Sequence, residues 1–170
     1  MPRALLHRLL ATASFAFLAL APGCGLGGSM SFAEIKREVA GLVDDTYEKA
    51  LADFAPRRFP QNATPCREGQ GAGGATGDYA PGGALEFDVP GGEKGKRAVL
   101  RVKEYWEERG FEAIQLVPSG EAVFARTDGY RLAFEITPEQ GRGKLGAGGP
   151  CAKPESKKEL AEPPAFRSLR

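Results

Sequence analysis

The stretch FEAIQLVPSGEAVFARTDGYRLAFEIT, residues 111–137, decides the fold. Apolar and polar residues alternate in three runs, Phe111 to Val117, Glu121 to Thr127 and Tyr130 to Thr137. Between them stand Pro118-Ser119-Gly120 and Asp128-Gly129, residues suited to tight turns because proline presets φ and glycine accepts positive φ. A period of two turns one side of each run toward a core, so the three runs predict an antiparallel meander with one buried face.

Upstream, Ala98, Val99, Val102, Tyr105, Trp106 and Arg109 recur at helical spacing and Gly110 stands where a left-handed C-cap is wanted. This predicts a helix over 93–109 with Trp106 in the core. Leu85, Phe87 and Val89 alternate with Glu86 and Asp88, a strand over 84–89 that Pro90-Gly91-Gly92 ends. Ser31 followed by Glu34 is a capping box, and the stripe Phe32, Ile35, Val39, Leu42, Val43, Tyr47, Ala50, Phe54 predicts a helix over 32–54. From Pro56 to Gly83 the periodicity disappears, and the glycines clustered in 69–83 make that part a flexible loop. Downstream, 141–149 offers at most a short edge strand around Leu145, weakened by glycine. Residues 152–170 are charged and contain proline, a composition that predicts a disordered tail. The expected fold class is α+β: a two-layer sandwich, with an antiparallel sheet of four to five strands and two helices packed on one face, in a single domain over 31–151.

Composition agrees with one domain. The chain has 170 residues, 42% hydrophobic and 26% charged, close to ordinary globular usage. Its 23 Lys and Arg against 22 Asp and Glu produce no strong field, so nucleic acid is not an expected partner.

The first 23 residues read as a signal peptide: Arg3, His7 and Arg8 form a cationic start, and the apolar run from Leu9 to Ala21 is stopped by Pro22 and Gly23. That run is too short to span a bilayer, which takes about 20 apolar residues. Ala19-Leu20-Ala21 fits an ordinary cleavage site, although Pro22 follows it; Ala21-Pro22-Gly23-Cys24 instead resembles a bacterial lipobox, in which the cysteine is acylated. Lipidation of Cys24, with a tether over 25–30, is the preferred expectation; a soluble secreted protein is the alternative.

Cysteine arithmetic supports lipidation. Cys24, Cys66 and Cys151 are an odd number; if Cys24 carries lipid, Cys66 and Cys151 remain as a pair for a disulfide in an oxidising compartment. Closing so long a loop is worth about 4 to 5 kcal/mol on the chain-entropy estimate.

The lipobox-like Cys24, the leading amphipathic helix, Cys66, the run Tyr105-Trp106-Glu107-Glu108-Arg109-Gly110-Phe111, the turn Asp128-Gly129-Tyr130 and the finish Gly149-Pro150-Cys151 together resemble the small cell-envelope lipoproteins of high-GC Gram-positive bacteria. The resemblance implies a location on the outer face of the cytoplasmic membrane and carries over no catalytic residue.

Candidate sites are few. Lys94, Arg97 and Arg101 share one helical face with Lys96 and Lys103 nearby, a set that could rest on anionic lipid or cell-wall polymer; the plainer reading is a solvated helix face. Gly91-Gly92-Glu93-Lys94-Gly95-Lys96-Arg97 follows a strand as a phosphate-binding loop would, but it is one residue short and has Arg97 where Ser or Thr belongs. Asp44 and Asp45 diverge by about 100° on a helix and read as surface residues. The sole histidine, His7, lies in the signal peptide and no Cys-x-x-Cys occurs, so no metal, no cofactor and no His-assisted nucleophile is expected. The expectation is a non-enzymatic interaction module facing an envelope protein or a cell-wall component. The alternative is a small-ligand or lipid carrier, its pocket lined by Phe54, Trp106, Phe124 and Phe134.

Overall fold

The computed structural model describes residues 30–59, 61, 63–67 and 75–170. Its strands are β1 (Pro56–Phe59), β2 (Thr64–Arg67), β3 (Ala75–Ala80), β4 (Gly82–Asp88), β5 (Glu112–Leu116), β6 (Ala122–Thr127), β7 (Tyr130–Thr137) and β8 (Arg142–Gly148). The meander β5-β6-β7 forms, with β6 and β7 alternating as expected; in β5 the register shifts between Glu112 and Gln115, where Ala113 takes a φ of 49°, and none of its residues is fully buried. Asp128 and Gly129 both take positive φ, 47° and 83°, closing the two-residue turn that pairs Thr127 with Tyr130. The sheet continues through β8 and β4 to β1, in the order β1-β4-β8-β7-β6-β5, antiparallel throughout. Cross-strand neighbours Val123, Phe134, Leu145 and Leu85 make one apolar row over its centre.

Two helices cover that apolar face. α1 (Phe32–Thr46) begins at the capping box: the Glu34 amide donates to the Ser31 hydroxyl at 3.3 Å, and the Ser31 amide donates to the Glu34 carboxylate at 2.8 Å. The bond from the Ser31 amide first, and a second from the Ser31 hydroxyl to the same carboxylate, hold the Glu34 carboxyl below its ordinary value. α1 lies against β4 and β8, and α2 (Glu93–Glu108) lies against β5, β6 and β7. Trp106, wholly buried between them, donates its indole N–H to the Thr46 hydroxyl at 3.0 Å, which satisfies the one polar atom that its burial takes from water.

The α+β sandwich is therefore present, with six strands in the sheet rather than four to five and with a separate two-stranded pair, β2-β3. The first helix is α-helical only to Thr46; one π-helical turn, Tyr47–Leu51, continues it and delivers Leu51 and Phe54 to the core. Part of the stretch expected to be loop is strand: β1 pairs with β4, and β2 with β3. The portion over 69–74 lies outside the described residues, whereas Ala75–Ala80 is β3 and Gly82 and Gly83 open β4.

Two larger corrections concern the C-terminal part. The segment expected to supply at most a short edge strand is β8, seven residues long and central, paired on both sides. Close approach requires glycine at two positions, one in the strand and one just after it. A Cβ at Gly143 would stand 2.7 Å from Val89 Cγ2, and one at Gly149, just past the strand, would collide with Ile35 of α1. The segment expected to be a disordered tail is docked. It contains α3 (Lys157–Ala161), and Pro164 and Phe166 are buried over Gly83, where a Cβ would come within 2.8 Å of both side chains. Asp44, expected at the surface, is 1% exposed and anchors this strap. Its carboxylate accepts from the Arg167 amide at 2.8 Å and from the Ser168 amide and hydroxyl at 3.2 and 2.8 Å.

Cys66 and Cys151 form the disulfide, their Cα atoms 6.3 Å apart. Beside it Tyr79 and Ala152 exchange both backbone hydrogen bonds, so the β2-β3 pair is joined to the end of β8 twice.

Candidate functional site

α2 separates two chemistries. Gly95, Ala98, Val99, Val102 and Trp106 are buried, which leaves the positions between them to face water. Lys94, Arg97, Arg101 and Glu104 fall there at steps of three and four, on one side of the helix. They border a surface cleft of about 420 Å³ that Asp53, Phe54 and Leu100 complete. Phe54, at the end of the first helix, puts its ring beneath two cations: Lys94 Nζ is 6.0 Å and Arg101 Cζ 5.8 Å from its centroid, at the outer range of cation–π attraction. Arg101 is also held by Asp53 at 2.8 Å. Arg97 makes no ion pair among the described residues, and Leu100 is 42% exposed beside it.

Of the five basic residues that the sequence pointed to, the fold gathers Lys94, Arg97 and Arg101 and separates the other two. Lys96 lies along the turn at Gly120, and Lys103 pairs with Glu107 at 2.6 Å, the helix-surface pair that their spacing predicts. With Asp53 and Glu104 on its rim, the cleft has a net charge of one positive unit. An exposed leucine, a free guanidinium and an aromatic floor suit it to hold an anionic group that carries an apolar part.

A larger cleft, about 620 Å³, lies between α1 and the strap. Lys36, Arg37 and Arg167 balance Asp44, Glu159 and Glu162 there, and several of these groups already hold the strap: Lys36 donates to the Glu159 carbonyl, and Arg167 pairs with Asp45 at 2.8 Å. The Asp45 bond foremost, with the Glu48 charge second, raises the Arg167 guanidinium above its ordinary value. Sequence reasoning missed this arrangement because Asp44 and Arg167 are more than a hundred residues apart. The carrier pocket does not assemble from the residues proposed for it. Phe54, Trp106 and Phe134 are core, while Phe124 lies on the opposite face of the sheet, out of phase with buried Val123 and Ala125.

No family model, no curated protein and no solved structure matches this chain. Its function is thus argued from its own residues. Among the described residues no cluster of three or more His, Cys, Asp or Glu could hold a metal ion, and no helix is long and apolar enough to cross a membrane. Cys24 and the apolar run before it lie outside the described residues.

Proposed function

We propose that this chain is an exported, lipid-anchored protein of the cell envelope, acting as a non-catalytic interaction module on the outer face of the cytoplasmic membrane and turning its basic α2 face to an anionic partner. The observation that carries the reading is the pairing of Cys66 with Cys151. A crosslink of this kind belongs to an oxidising compartment, and with those two cysteines joined Cys24 is the one left over, at the end of the lipobox-like Ala21-Pro22-Gly23-Cys24. Gathering Lys94, Arg97 and Arg101 around an exposed Leu100 supports the anionic contact, since polybasic surfaces gain about 1 kcal/mol per cation near an anionic membrane.

Intact mass of the protein from its own cells tests the anchor: the expected species begins at Cys24, carries acyl mass and gains two hydrogens on reduction. A species beginning at Pro22 without lipid refutes it and makes the protein a secreted one. The contact is tested with Cys24→Ser protein on vesicles. Retention by anionic over neutral lipid, lost in the Lys94→Gln, Arg97→Gln, Arg101→Gln triple variant, is expected; equal retention of that variant rejects the α2 face.

A further inference from the structure

The face of the sheet turned away from both helices carries a second basic feature. Arg126 of β6 and Arg131 of β7 are direct cross-strand partners. Both are exposed, and their strand neighbours Ala125 and Leu132 point the other way into the core. Side chains so placed have Cβ atoms about 4.5–5.5 Å apart, and like charges directly opposite one another destabilise a sheet. Neither guanidinium has a hydrogen-bond acceptor or an ion-pair partner among the described residues. Glu112, opposite Arg126 on β5, is the nearest acid by register, and it forms no ion pair with Arg126. On the other side Arg131 faces Gly148 of β8, where an added Cβ would meet nothing within 4 Å. The two arginines border a cleft of about 320 Å³ with Phe124, Gln115 and Ala113.

We propose that this cleft is a binding site for a phosphate ester, its phosphoryl oxygens held by Arg126 and Arg131 and its apolar body laid against Phe124. A single guanidinium fork already engages both oxygens of a carboxylate, whereas two forks on one side of a sheet supply enough donors for the three or more oxygens of a phosphoryl group. Even with Glu112 opposite Arg126 the site keeps one net positive charge, which favours an anion. Gln115 adds an amide that can donate to the same group. The half-buried Phe124 ring offers a flat apolar wall, and the volume lies at the small end of ligand sites. The site shares no residue with the α2 cleft and stands or falls apart from it.

Calorimetric titration of the oxidised Cys24→Ser protein, which needs no detergent, tests the site, with phenyl phosphate as the free monoester and phosphatidic acid vesicles as the lipid source of the same group. Phenyl phosphate should bind saturably, benzoate about tenfold more weakly and phenol not at all. Arg126→Gln and Arg131→Gln should each lose about tenfold in affinity, and Arg131→Lys should not restore it. Phenyl phosphate should raise the melting temperature of the wild type and leave that of Arg131→Gln unmoved. If the vesicles compete phenyl phosphate off the wild type, the source is a lipid headgroup; if they do not, it is a soluble ester. Equal binding of benzoate, unchanged binding in both glutamine variants, or no saturation by about 10 mM would overturn the proposal. The Lys94, Arg97, Arg101 triple variant should bind phenyl phosphate as the wild type does, which separates this site from the α2 contact.

Discussion

Phe166→Ala tests whether the strap belongs to the folded domain. The ring is 3% exposed and is seated over Gly83, with Pro164 beside it. A Phe to Ala change inside a core costs about 3–5 kcal/mol, the lost transfer energy plus a cavity. Phe166 comes from a peripheral segment, which can lift away instead of leaving an empty hole. The expected loss is therefore at the lower end, about 3 kcal/mol, and detachment exposes the Asp44 carboxylate to water. Urea unfolding measures the loss, and brief trypsin digestion locates it. The variant should be cut quickly after Lys157 and Lys158 while the remainder, including the buried Trp106, stays protected. Asp44→Asn should act in the same direction with a smaller effect, because it keeps the shape and weakens charge-assisted bonds to Arg167 and Ser168. A midpoint unchanged within about 0.5 kcal/mol, together with equal cutting of wild type and variant, would refute the docked strap and restore the disordered tail that the composition suggests.

Two further perturbations probe buried and partly buried polar groups. Thr46→Val removes the acceptor of the Trp106 indole, which is wholly buried, and should cost about 1–3 kcal/mol in urea unfolding, whereas Thr46→Ser should remain within about 0.5 kcal/mol of wild type. Glu86 is held below its ordinary value of 4.5, chiefly by the hydrogen bond from Arg57, with the Arg142 charge adding to it. Its contribution to stability is thus full above pH 4.5 and is lost as the pH falls through its lower folded value. Glu86→Gln should flatten the acid limb of a stability–pH profile and leave its neutral plateau slightly lower; an unchanged acid limb would show that the pairing with Arg57 and Arg142 has no thermodynamic weight.

The elements most legible in the sequence are those whose signal is local and repeated. β6, β7, α2 and the start of α1 follow from alternation, helical spacing, the Asp128-Gly129 turn and the Ser31 capping box, each settled by residues within a few positions of one another. β8 was not legible because its glycines, read alone, weaken a strand; only the nearness of Val89 to Gly143 and of Ile35 to Gly149 makes the missing side chains a condition of packing. The strap was hidden for a related reason. Pro164, Phe166, the bonds of residues 167 and 168 to Asp44, the Arg167–Asp45 pair and the Lys36 bond to the Glu159 carbonyl dock it, and its average composition does not register them. At the candidate site, helical spacing placed Lys94, Arg97 and Arg101 together correctly, but it could not supply Asp53 and Phe54, which arrive from the end of the first helix.

By itself, then, the sequence determined the α+β class, the meander, the two helices and the cysteine pair available for crosslinking, because period, turn chemistry and cysteine count are written along the chain. Only the tertiary structure decided that β8 is central, that Asp44 is an internal anchor for residues 167 and 168, and that Arg126 faces Arg131 across the open side of the sheet. The physical reason is range. Propensity and periodicity act over a few residues, whereas close approach, satisfaction of a buried carboxylate and cross-strand register depend on which distant segments the core brings within a few ångströms of each other.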